Sequence, residues 1–254
     1  MSKLLEIKNL TKNYHDSPNS RDIIKDLSLT VDQGEFICIL GPSGCGKTTL
    51  IRCIAGFEEH EGQILVDGKD VDGPGIDRIM IFQDFNQLFP WKTVKKNIQY
   101  PLKVNGLKDK AELERIAEEN LKLVGLEGKG DLYPHQLSGG MKQRVAIAKG
   151  LALNPKIILM DEPFASLDAM TRSKLQDRLI DIKSKEDITV IFITHNIQEA
   201  LVLGSRILFM GRSGQIKLDI ENTIPKPVSP VSEGYGQMWK RLHDALWEEN
   251  EDSE

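Results

Sequence analysis

The run Gly41-Pro42-Ser43-Gly44-Cys45-Gly46-Lys47-Thr48-Thr49 concentrates one kind of chemistry in nine residues. It fits G-x-x-x-x-G-K-[ST], with a short buried strand predicted before it at Phe36–Leu40 and a helix after it, from Lys47 to a stop at Gly56. Small residues let backbone N–H groups curl round the α- and β-phosphates of a nucleotide, and the helix N-terminus adds a favourable dipole. Lys47 offers a point charge to the β- and γ-phosphates, and Thr48 offers its hydroxyl to magnesium. A second constellation lies downstream, where the apolar strand Ile157–Met160 ends on Asp161 and Glu162. An acid at the end of a buried strand can hold magnesium through water, and its neighbour can orient or deprotonate an attacking water. Two acids at a strand end are a weak signal alone, and a strong one behind a phosphate loop. Together they define a P-loop nucleotidase, a description that several enzyme classes share.

The octet Leu137-Ser138-Gly139-Gly140-Met141-Lys142-Gln143-Arg144 narrows the class. A Ser-Gly-Gly turn opening a helix makes another anion site. Its place before the acidic strand resembles the LSGGQ-like signature of the ABC ATPase family, with Met141 where glutamine is usual. The resemblance extends over about residues 3–220, with the family's landmarks in order. It implies ATP and Mg2+ as ligands. It implies that Tyr14 stacks on adenine and that Gln83 contacts magnesium and the lytic water. Asp161 then serves magnesium and Glu162 is the general base. Ser138, Gly139 and Gly140 grip the γ-phosphate of ATP bound to the opposite subunit, Ser166-Leu167-Asp168 communicates across the dimer, and His195 is a switch near the γ-phosphate. Alone, Tyr14 reads as a strand-edge aromatic and His195 as a hydrogen-bonded histidine at a strand end; their order around the strong motifs assigns them. Two features depart from the family pattern. Asn196 stands where many relatives have an acid, and it caps a helix about as well. Lys149-Gly150 replaces a more usual Arg-Ala, at a helix-propensity cost of up to ~1 kcal/mol for the glycine.

The elements that must carry these residues follow from periodicity. Leu5 to Lys8 alternates as a half-buried strand, a polar loop follows Tyr14, and Ile23 to Val31 reads as a strand. Gly62–Val66 and Ile79–Phe82 read as strands, with a turn at Asp67-Gly68. Residues 84–106 are mixed, aromatic and rich in turn formers. Asp109 to Val124 is an amphipathic helix with Leu113, Ile116, Ala117, Leu121 and Val124 on one stripe. Helices are also expected from Ser138 through about Leu151, after Asp168 and after Asn196; Thr189–Ile193 is a buried strand. Arg206–Met210 and Gln215–Leu218 close as a hairpin. The expected fold class is α/β: a P-loop NTPase with a RecA-like parallel-sheet core, an N-terminal antiparallel β subdomain and an inserted α-helical subdomain at about 87–154. One domain is expected over 1–220. Residues 221–254, with Pro225, Pro227, Pro230 and an acidic tail, form a short extension.

Composition bounds the partners. A formal net charge of -5 and a pI near 5.7, with no basic stripe, argue against nucleic acid. Three cysteines, odd in number and without metal-ligand spacing, fit a reduced cytoplasmic compartment. No leader-like or membrane-length apolar run is present, so membrane work is expected through a partner. The resemblance implies a homodimer, or a heterodimer with a similar ATPase, at the cytoplasmic face of the cell membrane. It implies an integral membrane permease docking near Phe85–Thr93, where Phe85, Leu88, Phe89 and Trp91 cluster, and indirectly a solute-binding protein. LFPWKTV and DEPFASLDAMTR are most similar to the ATPases of nitrate, sulfonate and taurine importers, and FPW after Gln83 favours import. The alternatives are an exporter ATPase and a non-transport ABC ATPase. Against the latter, there is one motif set and no room for a long coiled coil between Gln83 and Ser138.

Overall fold

The computed structural model describes residues 3–14, 22–83, 87–165, 167–185 and 188–251. Most of the polar loop after Tyr14, Phe85 of the aromatic segment and Ser166 lie outside the described residues. The chain begins with strands β1 (Lys3–Lys12), β2 (Ile24–Asp32) and β3 (Phe36–Leu40), then helix α1 (Lys47–Ala55). Strands β4 (Glu61–Val66), β5 (Lys69–Asp70) and β6 (Arg78–Ile81) precede helices α2 (Val94–Val104), α3 (Lys110–Leu123) and α4 (Gly139–Leu151). Then come β7 (Ile157–Asp161), α5 (Ala169–Lys185), β8 (Thr189–Ile193) and α6 (Ile197–Leu203). Strands β9 (Arg206–Met210) and β10 (Ile216–Glu221) and helix α7 (Tyr235–Glu251) complete the order. The chain divides into two compact units, Met1–Gly75 with Ile188–Glu254, and Ile76–Asp187.

In the first unit β1, β2, β4 and β5 form an antiparallel sheet in the order β2-β1-β4-β5. Asp67 and Gly68, both at positive φ (53° and 72°), make the tight turn between β4 and β5. A second layer is ordered β10-β9-β3-β8, with β3 parallel to both β8 and β9 and the β9–β10 hairpin antiparallel. All five residues of β3 and of β8 are buried, as a strand covered on both faces requires. Each fully buried Ile or Leu there contributes roughly 1.5–3 kcal/mol. Helix α1 stops where the sequence placed its stop: Gly56 at φ 77° returns its N–H to Cys53 O and Arg52 O.

The stretch 221–254, read from sequence as a short extension with an acidic tail, carries the 17-residue helix α7. Its Leu242 is fully buried, and Glu249 accepts from the Arg212 N–H at 2.6 Å and pairs with Lys217. Pro225, Pro227 and Pro230 lie before the helix, and Glu248, Glu249 and Glu251 of the acidic stretch lie on it, while 252–254 are outside the described residues.

In the second unit β6 and β7 are parallel, and α2, α3, α4 and α5 accompany them. Residues 84–106 show no regular pattern in sequence, yet α2 occupies Val94–Val104 with Pro101 inside it. Thr93 caps it, its Oγ1 accepting from Lys96 N. The hidden organiser is Asn97, which is 0% exposed. Its Oδ1 accepts from Phe89 N at 2.7 Å, and its Nδ2 faces the carbonyls of Phe89, Lys92 and Thr93 at 3.2, 3.1 and 3.0 Å. One amide side chain thus folds the Phe89–Thr93 turn onto the helix that follows. An asparagine and a proline in a short segment masked the helical pattern, because neither belongs in an apolar stripe. Replacing Asn97 with Ala strands those buried groups, so a loss of about 2–4 kcal/mol is expected as a lower urea midpoint. An unchanged midpoint would show that the turn holds itself.

Candidate functional site

The residues expected at a nucleotide are set at the ends of parallel strand pairs. Ile39 pairs with Ile193 across β3 and β8, and Thr194 N donates to Ile39 O at 3.2 Å. The loop Gly41–Gly46 and His195 therefore leave the same end of the sheet in the first unit. Ile81 pairs with Met160 across β6 and β7, so Gln83 and the acids Asp161 and Glu162 leave one end of the pair in the second unit.

The phosphate loop is held by close backbone packing. A Cβ at Gly41 would stand 2.2 Å from Met210 O, and one at Gly46, at φ 101°, would stand 2.9 Å from Ile23 O. Pro42, Cys45 and Gly46 are buried, Ser43 and Gly44 are exposed, and Thr48 and Thr49 are half-buried. Lys47, first residue of α1, is only 6% exposed. Its Nζ donates to Gly41 O and Pro42 O, each at 2.8 Å, and lies 3.8 Å from Cys45 Sγ. Among the described residues no carboxylate forms an ion pair with it. Burial pushes the Cys45 thiol up from its ordinary pKa, with Lys47 pulling the other way.

These facts test whether the cradle fits a polyphosphate with magnesium. Helices α2, α3, α4 and α6 each carry a side-chain cap, from Thr93, Asp109, Ser138 and Asn196. Helix α1 has no side-chain cap and no acid in its first turn. Its N–H groups and a buried, uncompensated ammonium face the same place, which is what an anion needs. The donors expected at magnesium, the Thr48 hydroxyl, the Gln83 amide oxygen and the Asp161 carboxylate, are hard oxygen ligands of the kind magnesium takes.

Tyr14 is 39% exposed, and Lys12 Nζ lies 4.8 Å from its ring centroid, held in turn by Glu58 at 3.3 Å. This backing by Lys12 has no sequence signal. His195 is exposed between two fixed neighbours. Thr194 Oγ1 donates to Glu199 Oε2 at 2.6 Å and accepts from Asn196 N at 3.0 Å, while Asn196 Oδ1 accepts from Glu199 N at 3.3 Å. Asn196 thus caps α6 as the sequence predicts, and Glu199 turns its buried carboxylate to Thr194.

In the second unit Glu162 has φ 43°, a left-handed conformation that costs a non-glycine residue about 1–3 kcal/mol. Asp161 and Glu162 are half-buried and Gln83 is exposed. Ser138 caps α4, its Oγ accepting from Met141 N at 3.3 Å. A Cβ at Gly140 would stand 2.5 Å from Thr171 Cγ2, so a larger residue there would have to displace the Thr171 side chain. Ser138 and Gly140 line a cleft of about 400 Å³ with Arg144, Thr171, Lys174 and Arg178. Asp168 Oδ1 accepts from Thr171 N at 2.9 Å, and hydrogen bonds from Thr171 hold its carboxyl below the usual range. The aromatic segment splits: Leu88 is buried, Phe89 is half-buried and Trp91 is 70% exposed. Phe89 packs against Trp91 and Tyr100 at centroid distances of 5.4 and 4.7 Å.

A phosphate loop, an acid-ended strand and a capped Ser-Gly-Gly turn on this fold define a P-loop ATPase of the ABC type. The pattern of the family described as ABC transporter matches residues 24–165, more than half the chain, and the chain belongs to that family. It is 45% identical over 251 residues to an uncharacterised ABC transporter ATP-binding protein of Methanocaldococcus jannaschii, covering 98% of this chain and 93% of that protein. It is 40% identical to an aliphatic sulfonates import ATP-binding protein of Bacillus cereus, covering 94% of each. A nitrate import ATP-binding protein of Synechocystis is 42% identical, over 87% of this chain and 83% of that one. Among solved structures, a dimeric post-hydrolysis ATP-binding cassette bound to ADP and Pi superposes with a TM-score of 0.77 at 33% identity, covering 86% of this chain and 99% of that one. The chain is therefore the ATP-hydrolysing subunit of an ABC transporter, acting on ATP with Mg2+. Among the described residues no helix is long and apolar enough to cross a membrane.

Lys47→Ala removes the buried ammonium from the cradle. ATP affinity measured by calorimetry should fall at least about 100-fold, the scale of a lost charge-assisted contact. Retained affinity would mean that the loop's N–H groups suffice.

Proposed function

We propose that the chain powers import of a small anion, such as nitrate or an organic sulfonate like taurine, as one of two ATPase subunits docked on a separate permease at the cytoplasmic face of the membrane. The observation that carries ATP binding is the buried Lys47 ammonium at the uncapped start of α1. Support for import is the near full-length likeness to sulfonate and nitrate import subunits, together with LFPWKTV after Gln83. Exposed Trp91, with Phe89 and Tyr100 beside it, supports permease docking on that segment. Residues 1–220 form the cassette in this reading, with the helical insert at about 87–154, and 221–254 are an appended segment.

The mechanism assigns each residue a task. The loop Gly41–Thr49, through its backbone N–H groups other than at Pro42, and the Lys47 ammonium hold the phosphates. Tyr14 stacks on the base. Thr48, Gln83 and Asp161 hold magnesium, which when bound neutralises charge on the phosphate oxygens. Ser138, Gly139 and Gly140 of a second copy close over the γ-phosphate, so each site needs two subunits. Glu162 takes the proton of the attacking water, Gln83 and His195 orient it, and Asp168 carries contact across the dimer. Loss of the γ-phosphate removes what both subunits hold, and the open form becomes the more populated one. A solute-binding protein delivers the anion to the permease.

Glu162→Gln keeps the shape of the side chain and removes the base. Turnover should fall about 100-fold or more while ATP holds the variant as a dimer in sedimentation. Undiminished turnover would remove Glu162 from this role. Purification of the tagged chain from solubilised membranes should bring down a permease and a solute-binding protein. Purely soluble companions would overturn the docking and import reading while leaving the ATPase chemistry intact.

A further inference from the structure

Lys149, in the last part of α4, holds its charge where an ammonium is costly. Its Nζ donates to Gln87 O at 3.1 Å and lies 4.8 Å from the Phe89 ring centroid. Among the described residues no carboxylate forms an ion pair with it. Burial lowers its pKa from the ordinary lysine value. Among the described residues this half-buried cation is met by a carbonyl and a ring face, and those two contacts offset part of its desolvation.

The carbonyl belongs to a clamp. Gln87 Oε1 accepts from Phe82 N at 3.0 Å, and Gln87 Nε2 donates to Phe82 O at 2.7 Å. One side chain thus pairs both polar backbone groups of the residue immediately before Gln83. Gly150 brings the other side of the connection close: a Cβ there would stand 3.1 Å from Ile79 Cγ2 on β6. The Lys149-Gly150 pair, unexplained in the sequence, places a donor at Gln87 and a flat helix surface against the strand leading to Gln83.

We propose that Lys149 is a positioning residue for hydrolysis, tying the backbone at Phe82 to helix α4 through Gln87. Helix α4 begins at the Ser138–Gly140 turn, so any displacement of that turn is carried to Gln83, and a displacement of Gln83 is carried back. The inference rests on the proposed contact of Gln83 with magnesium. Neither Lys149 nor Gln87 touches the nucleotide in this scheme.

The test is the magnesium dependence of ATPase activity of the full chain in three variants. Lys149→Met keeps the stem and removes the donor; Lys149→Arg restores a donor; Gln87→Ala opens the clamp while leaving the carbonyl. Lys149→Met and Gln87→Ala should each raise the magnesium concentration for half-maximal activity about fivefold or more, with ATP affinity in EDTA unchanged. Lys149→Arg should recover to within about twofold of the parent. A general loss of packing lowers the thermal midpoint without moving magnesium half-saturation, and that result in Lys149→Met and Gln87→Ala would overturn the proposal. Gln83→Ala separates the two levels of the argument. If it shifts the magnesium dependence while Lys149→Met and Gln87→Ala do not, the role of Lys149 fails alone. If it shifts nothing, the assignment of Gln83 fails and the role of Lys149 with it.

Discussion

A buried ammonium without a carboxylate is the constraint around which the first unit is organised. Lys47 sits at the start of α1 with two carbonyls of its own loop as neighbours, and those carbonyls carry only partial charge. The arrangement persists because the loop cannot relax: Gly41 is against Met210 O, and Gly46 is against Ile23 O. Strand β9, which carries Met210, pairs with β3, whose five residues are all buried, and β3 leads directly into the loop. Phosphate is the partner that makes such a site favourable, because it brings negative charge to donors that are already aligned and already desolvated.

The same economy appears at the other landmarks. Parallel pairing delivers the residues proposed for catalysis to strand ends, His195 in one unit and Glu162 in the other. What the strands leave loose is then fixed by short polar contacts. Thr194 and Glu199 bracket His195, and Lys12 backs the Tyr14 ring. Glu162 instead keeps a left-handed backbone, a strain that the turn around it must hold.

The parts legible in the sequence were those with a repeating physical rule. Buried strands such as Phe36–Leu40 and Ile157–Met160 show as unbroken apolar runs, and α3 shows as a stripe closed by Asp109. The phosphate loop and the Ser138 turn were legible because glycine at fixed spacing has few other uses. Helix α2 was not, because Asn97 organises it through the backbone of the preceding turn, which leaves no apolar stripe, and Pro101 breaks the expected pattern. Helix α7 was hidden by the prolines before it. Lys149 stands out in sequence as a departure from the family pattern, but its partner Gln87 has meaning only with Phe82 beside it. Polar contacts between loops leave no periodic trace, and these are the ones that set the positions of reacting groups.

On this reading, nucleotide binding is carried by the β- and γ-phosphates in the Lys47 cradle. Calorimetric titration of the unmodified chain with ATP, ADP and AMP tests it most directly. The cradle predicts that ATP and ADP bind measurably and that AMP, which reaches neither Lys47 nor the α1 N-terminus with a β-phosphate, binds at least about 100-fold more weakly. AMP binding as tightly as ATP would place the affinity in the base at Tyr14 and contradict the claim.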